Sequence, residues 1–89
     1  MLKFRELEKI IRGVANHRRI QIIETLNRKP ELSVFDISNE LEVNYKTIAE
    51  HIRRLTITGL VMKRNEGSAV RHALTARGKS ILMFLRTLE

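Results

Sequence analysis

Eighty-nine residues hold one small domain with room for a single core. A formal net charge of +7 and a pI of about 10.6 favour a polyanionic partner. The chain has no cysteine, which excludes disulfides and thiolate chemistry.

Leu2, Phe4, Leu7, Ile10, Ile11 and Val14 recur at helical spacing with charges between them, predicting a first helix over about residues 2–13 that Gly13 ends or kinks. Asn16 is the expected N-cap of a second helix, buried through Ile20, Ile22, Ile23 and Leu26. Pro30 disfavours helical geometry at Lys29, so this helix should stop near Arg28. Ser33 and Asp36 form a variant capping box, opening a third helix over about residues 34–41 with Val34, Ile37 and Leu41 inward. Glu42-Val43 make the turn. Asn44 caps a fourth helix with Ile48, Ile52 and Leu55 on one face, and Gly59 is its expected left-handed end. Leu60–Arg64 and Val70–Leu74 are short strands, with Asn65-Glu-Gly-Ser-Ala69 as the hairpin between them. Thr75 caps a last helix reaching about Leu88, and all four glycines fall at expected breaks or turns.

The order is α-α-α-α-β-β-α: a mainly α chain with a small β-hairpin, and so a winged helix-turn-helix in one domain over residues 1–89. The charge follows that layout. Residues 1–42 carry a net +1, residues 43–79 a net +6, and residues 80–89 are neutral. The excess therefore sits on the fourth helix, the hairpin and the start of the last helix, which solubility alone does not require.

A recognition helix needs a buried face to fix it and a polar face to read with, its N-terminal turn toward the base edges. The fourth helix offers both. Lys46 can donate to guanine and Glu50 accept from cytosine, or the two can form an exposed i,i+4 ion pair. The Tyr45 and Thr47 hydroxyls suit phosphates or thymine edges, although Tyr45 also fits a partly buried helix start. Arg53 and Arg54, further along, suit phosphates or a solvated basic face. The wing adds Lys63, Arg64 and Arg71, with Asn65 and Ser68 at its tip, for the DNA backbone or minor groove. With the cap Asn44, these residues are the candidate DNA-binding set.

Residues 15–75 resemble the winged helix-turn-helix of the arsenic-repressor (ArsR-like) transcriptional regulators. Ala15-Asn-His-Arg-Arg-Ile-Gln-Ile-Ile-Glu-Thr-Leu26 is similar to that family's Ala-Asp-Pro-x-Arg-x-x-Ile-Leu segment. Thr47-Ile-Ala-Glu-His-Ile-Arg-Arg-Leu55 is similar to its recognition helix, and Gly59-Leu-Val61 to its entry into the wing. Leu74-Thr-Ala-Arg-Gly-Lys79 looks more like the start of the last helix in MarR-like and PadR-like regulators. The resemblance implies a transcriptional regulator whose His51 faces the DNA side or packs against the wing. It also implies a two-fold dimer built by the first and last helices through Phe4, Leu7, Ile11, Ile81, Leu82, Leu85 and Leu88; alternatively those residues complete the protomer's own core.

One departure bears on sensing. Glu31-Leu-Ser-Val-Phe-Asp-Ile37 matches the family's metal box Glu-Leu-Cys-Val-Cys-Asp-Leu, with Ser33 and Phe35 at the two cysteine positions. Soft metal ions need those thiolates. The last helix has no histidine for the zinc site of other relatives, and His17, His51 and His72 lie on three separate elements. No cofactor and no metal are expected. No nucleophile–base set or phosphate-cradling glycine loop points to an enzyme.

Charges at Lys3, Arg5, Glu6, Glu8 and Lys9 argue against a signal peptide, and the longest apolar run, Ile81 to Leu85, is too short to span a bilayer. The expectation is a cytoplasmic, nucleoid-associated homodimer that binds a palindromic site on double-stranded DNA, with no membrane partner and no assigned effector. The alternatives are an architectural DNA-binding protein without sequence preference, which Glu50 argues against, and a winged-helix module that binds protein, which the +6 argues against.

Overall fold

The periodicities resolve into five helices and one hairpin in a computed structural model that describes residues 1–89. In chain order these are α1 (Phe4–Val14), α2 (His17–Arg28), α3 (Val34–Leu41), α4 (Tyr45–Ile57), β1 (Val61–Glu66), β2 (Ala69–Leu74) and α5 (Ala76–Arg86). The winged helix-turn-helix read from the sequence is the architecture observed.

Local side-chain chemistry sets the helix starts. Asn16 accepts from the amides of Arg18 and Arg19, and Asn44 from those of Lys46 (2.8 Å) and Thr47 (3.3 Å). Ser33 and Asp36 close the capping box in both directions, at 3.0 and 3.1 Å. Glu42 takes a left-handed backbone (φ 55°) to end α3, and the turn is pinned by Val43 N–H donating to Ser38 O and by Ser38 Oγ donating to Val43 O. After α4, Gly59 N–H donates to Thr56 O and Leu60 N–H to Leu55 O, a full Schellman ending with Gly59 at φ 77°.

The core joins every helix to the base of the wing. Ile22, Ile23, Ile37, Ile48, Leu55 and Leu60 are fully buried, with Leu26, Ile52, Val61 and Leu74 beside them. The hairpin is longer than expected. Its ladder runs from Val61 opposite Leu74 out to Glu66 opposite Ala69, leaving a two-residue turn of Gly67 and Ser68. Asn65, expected at the tip, instead pairs with Val70 inside the ladder. A left-handed glycine as first residue of a two-residue turn matches the strand twist, so the strands continue to the end.

A third, single-residue edge also joins this sheet. Leu32 bridges to His72, with Glu31 N–H donating to His72 O (2.9 Å) and His72 N–H to Leu32 O (2.8 Å). Two glycines expected at breaks lie inside helices. Gly13 is within α1, where a Cβ would meet the Thr58 side chain at 2.5 Å, and Gly78 is in the first turn of α5, against the Leu60 backbone. Both mark close approaches, so α1 continues to Val14.

Candidate nucleic-acid interface

α4 is anchored by Ile48, Ile52 and Leu55, all essentially excluded from solvent. The helical repeat then turns Lys46, Glu50, Arg53 and Ile57 outward, with Thr47 and Arg54 on the flank facing α2. Tyr45 (53% exposed) and Ala49 lie on the other flank, where Phe35, Lys63 and Val70 form a shallow groove with the wing. Tyr45 is thus exposed and available, rather than a buried helix start.

Electrostatics divide this face. Lys46 enters no ion pair, so its ammonium stands free at the capped end of the helix. Glu50 does not pair with it. Both oxygens of Glu50 are taken by the Arg53 fork (2.7 and 3.0 Å), and Arg54 Nε adds a third contact at 3.2 Å. The Arg53 hydrogen bonds are the main reason that the Glu50 pKa falls to about 2. Glu50 therefore stays anionic at any working pH and offsets the arginines beside it.

His51 does not reach the wing. It is half-buried against α2, where Arg19 Nε–H donates to its Nδ1 at 3.2 Å. That bond requires the tautomer with its proton on Nε2. Burial first, and then the Arg19 charge, hold its pKa below the ordinary value.

The wing has two faces. Lys63 and Asn65 lie on the face that buries Val61, His72 and Leu74, and Lys63 has no ion-pair partner. Arg64 and Arg71 lie on the opposite face and brace the hairpin against the loop before α3. Arg64 Nη2 is 3.1 Å from Glu31 Oε2, an ion pair not aligned as a hydrogen bond, and 3.7 Å from Glu66. Arg71 Nη1 donates to Glu31 O at 3.0 Å, and Arg71 is only half-exposed. The expected phosphate role of Arg71 thus competes with a structural one. Ser68 alone of the two predicted tip residues is at the tip.

His72 is a core residue, 2% exposed, with Nδ1–H donating to Leu32 O at 3.0 Å. Desolvation is the largest cause of its lowered pKa, partly opposed by that hydrogen bond. A histidine with a lowered folded pKa binds fewer protons folded than unfolded, so its stabilisation is complete above about pH 6.5 and is lost as pH falls through the folded value. The thermal midpoint should therefore hold steady down to about pH 7 and decline below about 6.5. His72→Gln keeps a donor for Leu32 O and should reduce the drop between neutral and mildly acidic pH; an identical drop in the variant would assign it elsewhere.

Phe4 (84% exposed), Leu7 and Ile11 on α1, and Phe84 and Leu88 at the end of the chain, are exposed apolar side chains. Ile81 and Leu85 are partly buried against the core. Leu82, placed with them from the sequence, is only 4% exposed and belongs to the protomer's own core, because α5 turns it toward α2.

Sequence reasoning missed Lys9, Arg12 and Arg19, which structure brings beside Arg53 and Arg54. Their separation along the chain leaves no linear signal. The residues at the cysteine positions of the metal box do not fit a soft ion. The Ser33 hydroxyl is committed to the helix cap, Phe35 has no donor atom, and no group of three or more His, Asp or Glu side chains is arranged to hold a metal.

Residues 16–78 match the family model described as a winged helix DNA-binding domain. The chain is 34% identical over 67 residues to the transcriptional activator HlyU of Vibrio cholerae, covering 75% of this chain and 61% of that protein. It is 29% identical over 69 residues to a cadmium resistance transcriptional regulatory protein CadC homolog of Staphylococcus aureus, covering 78% and 57%. The chain thus spans about three fifths of the length of these curated relatives. Among solved structures, HlyU from V. cholerae superposes with a TM-score of 0.80 at 31% identity, covering 93% of this chain and 90% of that one. The homodimeric winged helix-turn-helix domain Mb0332 of Mycobacterium bovis, a possible ArsR-family regulator, gives 0.80 at 25% identity, covering 93% and 76%.

Proposed function

The chain belongs to the winged helix DNA-binding domain family, in its ArsR-like branch, and from that premise we propose that it is a homodimeric transcriptional regulator that reads an inverted-repeat DNA site without sensing a metal ion. The observation that carries this reading is the outward face of α4. A free lysine stands at the capped N-terminus, where a recognition helix meets base edges, and the arginines further along are balanced by Glu50. A surface that bound phosphates alone would gain nothing from a carboxylate in its centre. Thr47 and Tyr45 add hydroxyls beside Lys46, while Lys63 and Ser68 extend the surface along the wing.

The exposed apolar residues on α1 and at the chain's end support the dimer, as does the solved homodimer of the similar Mb0332 domain. Phe4→Glu should convert the dimer to a monomer in sedimentation velocity with the helical circular dichroism unchanged, since Phe4 makes little contact within the protomer. A dimer that persists would move the interface to another face. The absence of thiolates or a clustered donor set supports regulation without metal.

The test of the whole reading is selection of bound duplexes from a random library at about physiological salt, where non-specific phosphate binding is weakened. Recovery of inverted repeats with half-sites about 10–11 base pairs apart is the expected result. Retention without enrichment would indicate architectural binding instead, and no retention would refute DNA recognition by the chain on its own.

A further inference from the structure

The basic surface does not stop at the recognition helix. Where α4 leaves its N-terminal half, Arg53 and Arg54 border an open groove of about 330 Å³ whose other walls are Lys9, Arg12 and Gly13 of α1 and Arg19 of α2. Five cations from three helices meet there. The carboxylates at its rim are Glu8, 3.2 Å from Arg12, and Glu50, held by Arg53 and Arg54.

Two of the cations are not neutralised. Lys9 enters no ion pair. Arg19 spends its hydrogen bonds on uncharged partners, the carbonyls of Arg12 (3.2 Å) and Gly13 (3.0 Å) and the His51 ring (3.2 Å). Its pKa is lowered first by burial and then by the nearby Arg54 charge, with Glu50 partly opposing. An anion in the groove would relieve that repulsion.

The groove is open, and the Arg12, Arg53 and Arg54 side chains are each more than half exposed. Water and salt screen single contacts in such a place, so one small anion gains little. A polyanion brings several phosphates at fixed spacing and releases its counterions on binding. Arg53 and Arg54 also belong to the outward surface of α4, so the groove continues that surface on the side away from the wing.

We propose that Lys9, Arg12 and Arg19 form, with Arg53 and Arg54, a second phosphate-binding site that takes the DNA backbone on the flank of the recognition helix opposite the wing. It rests on the DNA-binding reading above and adds to it a footprint on both sides of the groove that α4 enters. The site positions the helix and carries no sequence preference of its own.

The test is the salt dependence of duplex binding by the Lys9→Ala/Arg12→Ala double variant, whose altered side chains are exposed and leave the fold intact. On a duplex with flanks on both sides of the site, the slope of log affinity against log salt should shrink by about 3.6 for the dimer, at about 0.9 per lost phosphate contact with two residues lost from each protomer. The base preference should not change. An unchanged slope on the long duplex, with Lys46→Ala still losing its preference, overturns this site and leaves the DNA reading intact. A saturable response of the Lys9 and Arg12 signals to pyrophosphate, again with an unchanged slope, would place a small anion there instead. If the wild type binds no duplex, this site and the DNA reading fail together.

Discussion

Gly78→Ala is expected to cost about 3 kcal/mol or more, a large fraction of the stability of a domain of this size. A Cβ at position 78 would lie 2.1 Å from the Leu60 carbonyl oxygen, 3.1 Å from its carbon and 3.4 Å from Leu74 Cδ2. The nearest obstacle is backbone, which cannot rotate away. Nor can the helix withdraw. Thr75 caps it by accepting from Gly78 N–H (3.0 Å), while Thr75 donates through its hydroxyl to Gly59 O and through its amide to Leu60 O (3.2 Å). Moving α5 outward would break these bonds and expose Leu60 and Leu74. Glycine inside a helix normally costs up to about 1 kcal/mol relative to alanine, so here close contact outweighs propensity. Gly67→Ala supplies the comparison. It meets nothing within 4 Å and bears only the strain of φ 62°, about 1–2 kcal/mol. Urea midpoints should order wild type, Gly67→Ala, Gly78→Ala; a Gly78→Ala midpoint at or above that of Gly67→Ala would refute the close-packing account.

Lys46→Ala should reduce affinity for the selected site by about 5- to 140-fold per half-site, the equivalent of about 1–3 kcal/mol for each base contact. Affinity for unrelated duplexes should change far less. Lys46 stands in the first turn of α4, the part of a recognition helix that usually faces base edges, and no carboxylate competes for it. Its amide is what the Asn44 cap needs, and truncating the side chain leaves that amide in place. Arg53 is a poorer candidate for base reading, because it must first leave a two-bond fork with Glu50. The readout is the ratio of affinities for the selected and a scrambled duplex at one fixed salt concentration. Equal losses on both would assign Lys46 to phosphate and leave the discrimination to Thr47 or Tyr45.

Much of the candidate surface was legible because its determinants are local. Asn44 and the polar face of α4 lie within one stretch of chain, and periodicity assigned Ile48, Ile52 and Leu55 to the core before any packing was known. What that stretch does not reveal is which charges are free. Lys46 and Glu50 have the spacing of a helical ion pair, yet the planar fork of Arg53 at i+3, helped by Arg54 at i+4, captures the carboxylate. Arg64 and Arg71 likewise read as free wing cations. They are drawn to Glu31, whose position depends on the bridge between Leu32 and His72.

By itself the sequence determined the element order, the helix caps, the left-handed ending at Gly59 and the concentration of basic charge in residues 43–79. Those features rest on hydrogen bonds between residues two to five positions apart and on a 3.6-residue repeat, so neighbours in the chain suffice to specify them. Tertiary structure alone decided that Gly13 and Gly78 are contact points within helices, that Leu82 is core, that His51 faces Arg19, and that Lys9 and Arg12 join the arginines of α4. Each of these pairs groups far apart in sequence, and their meeting depends on the angles at which whole helices pack, which no single segment encodes.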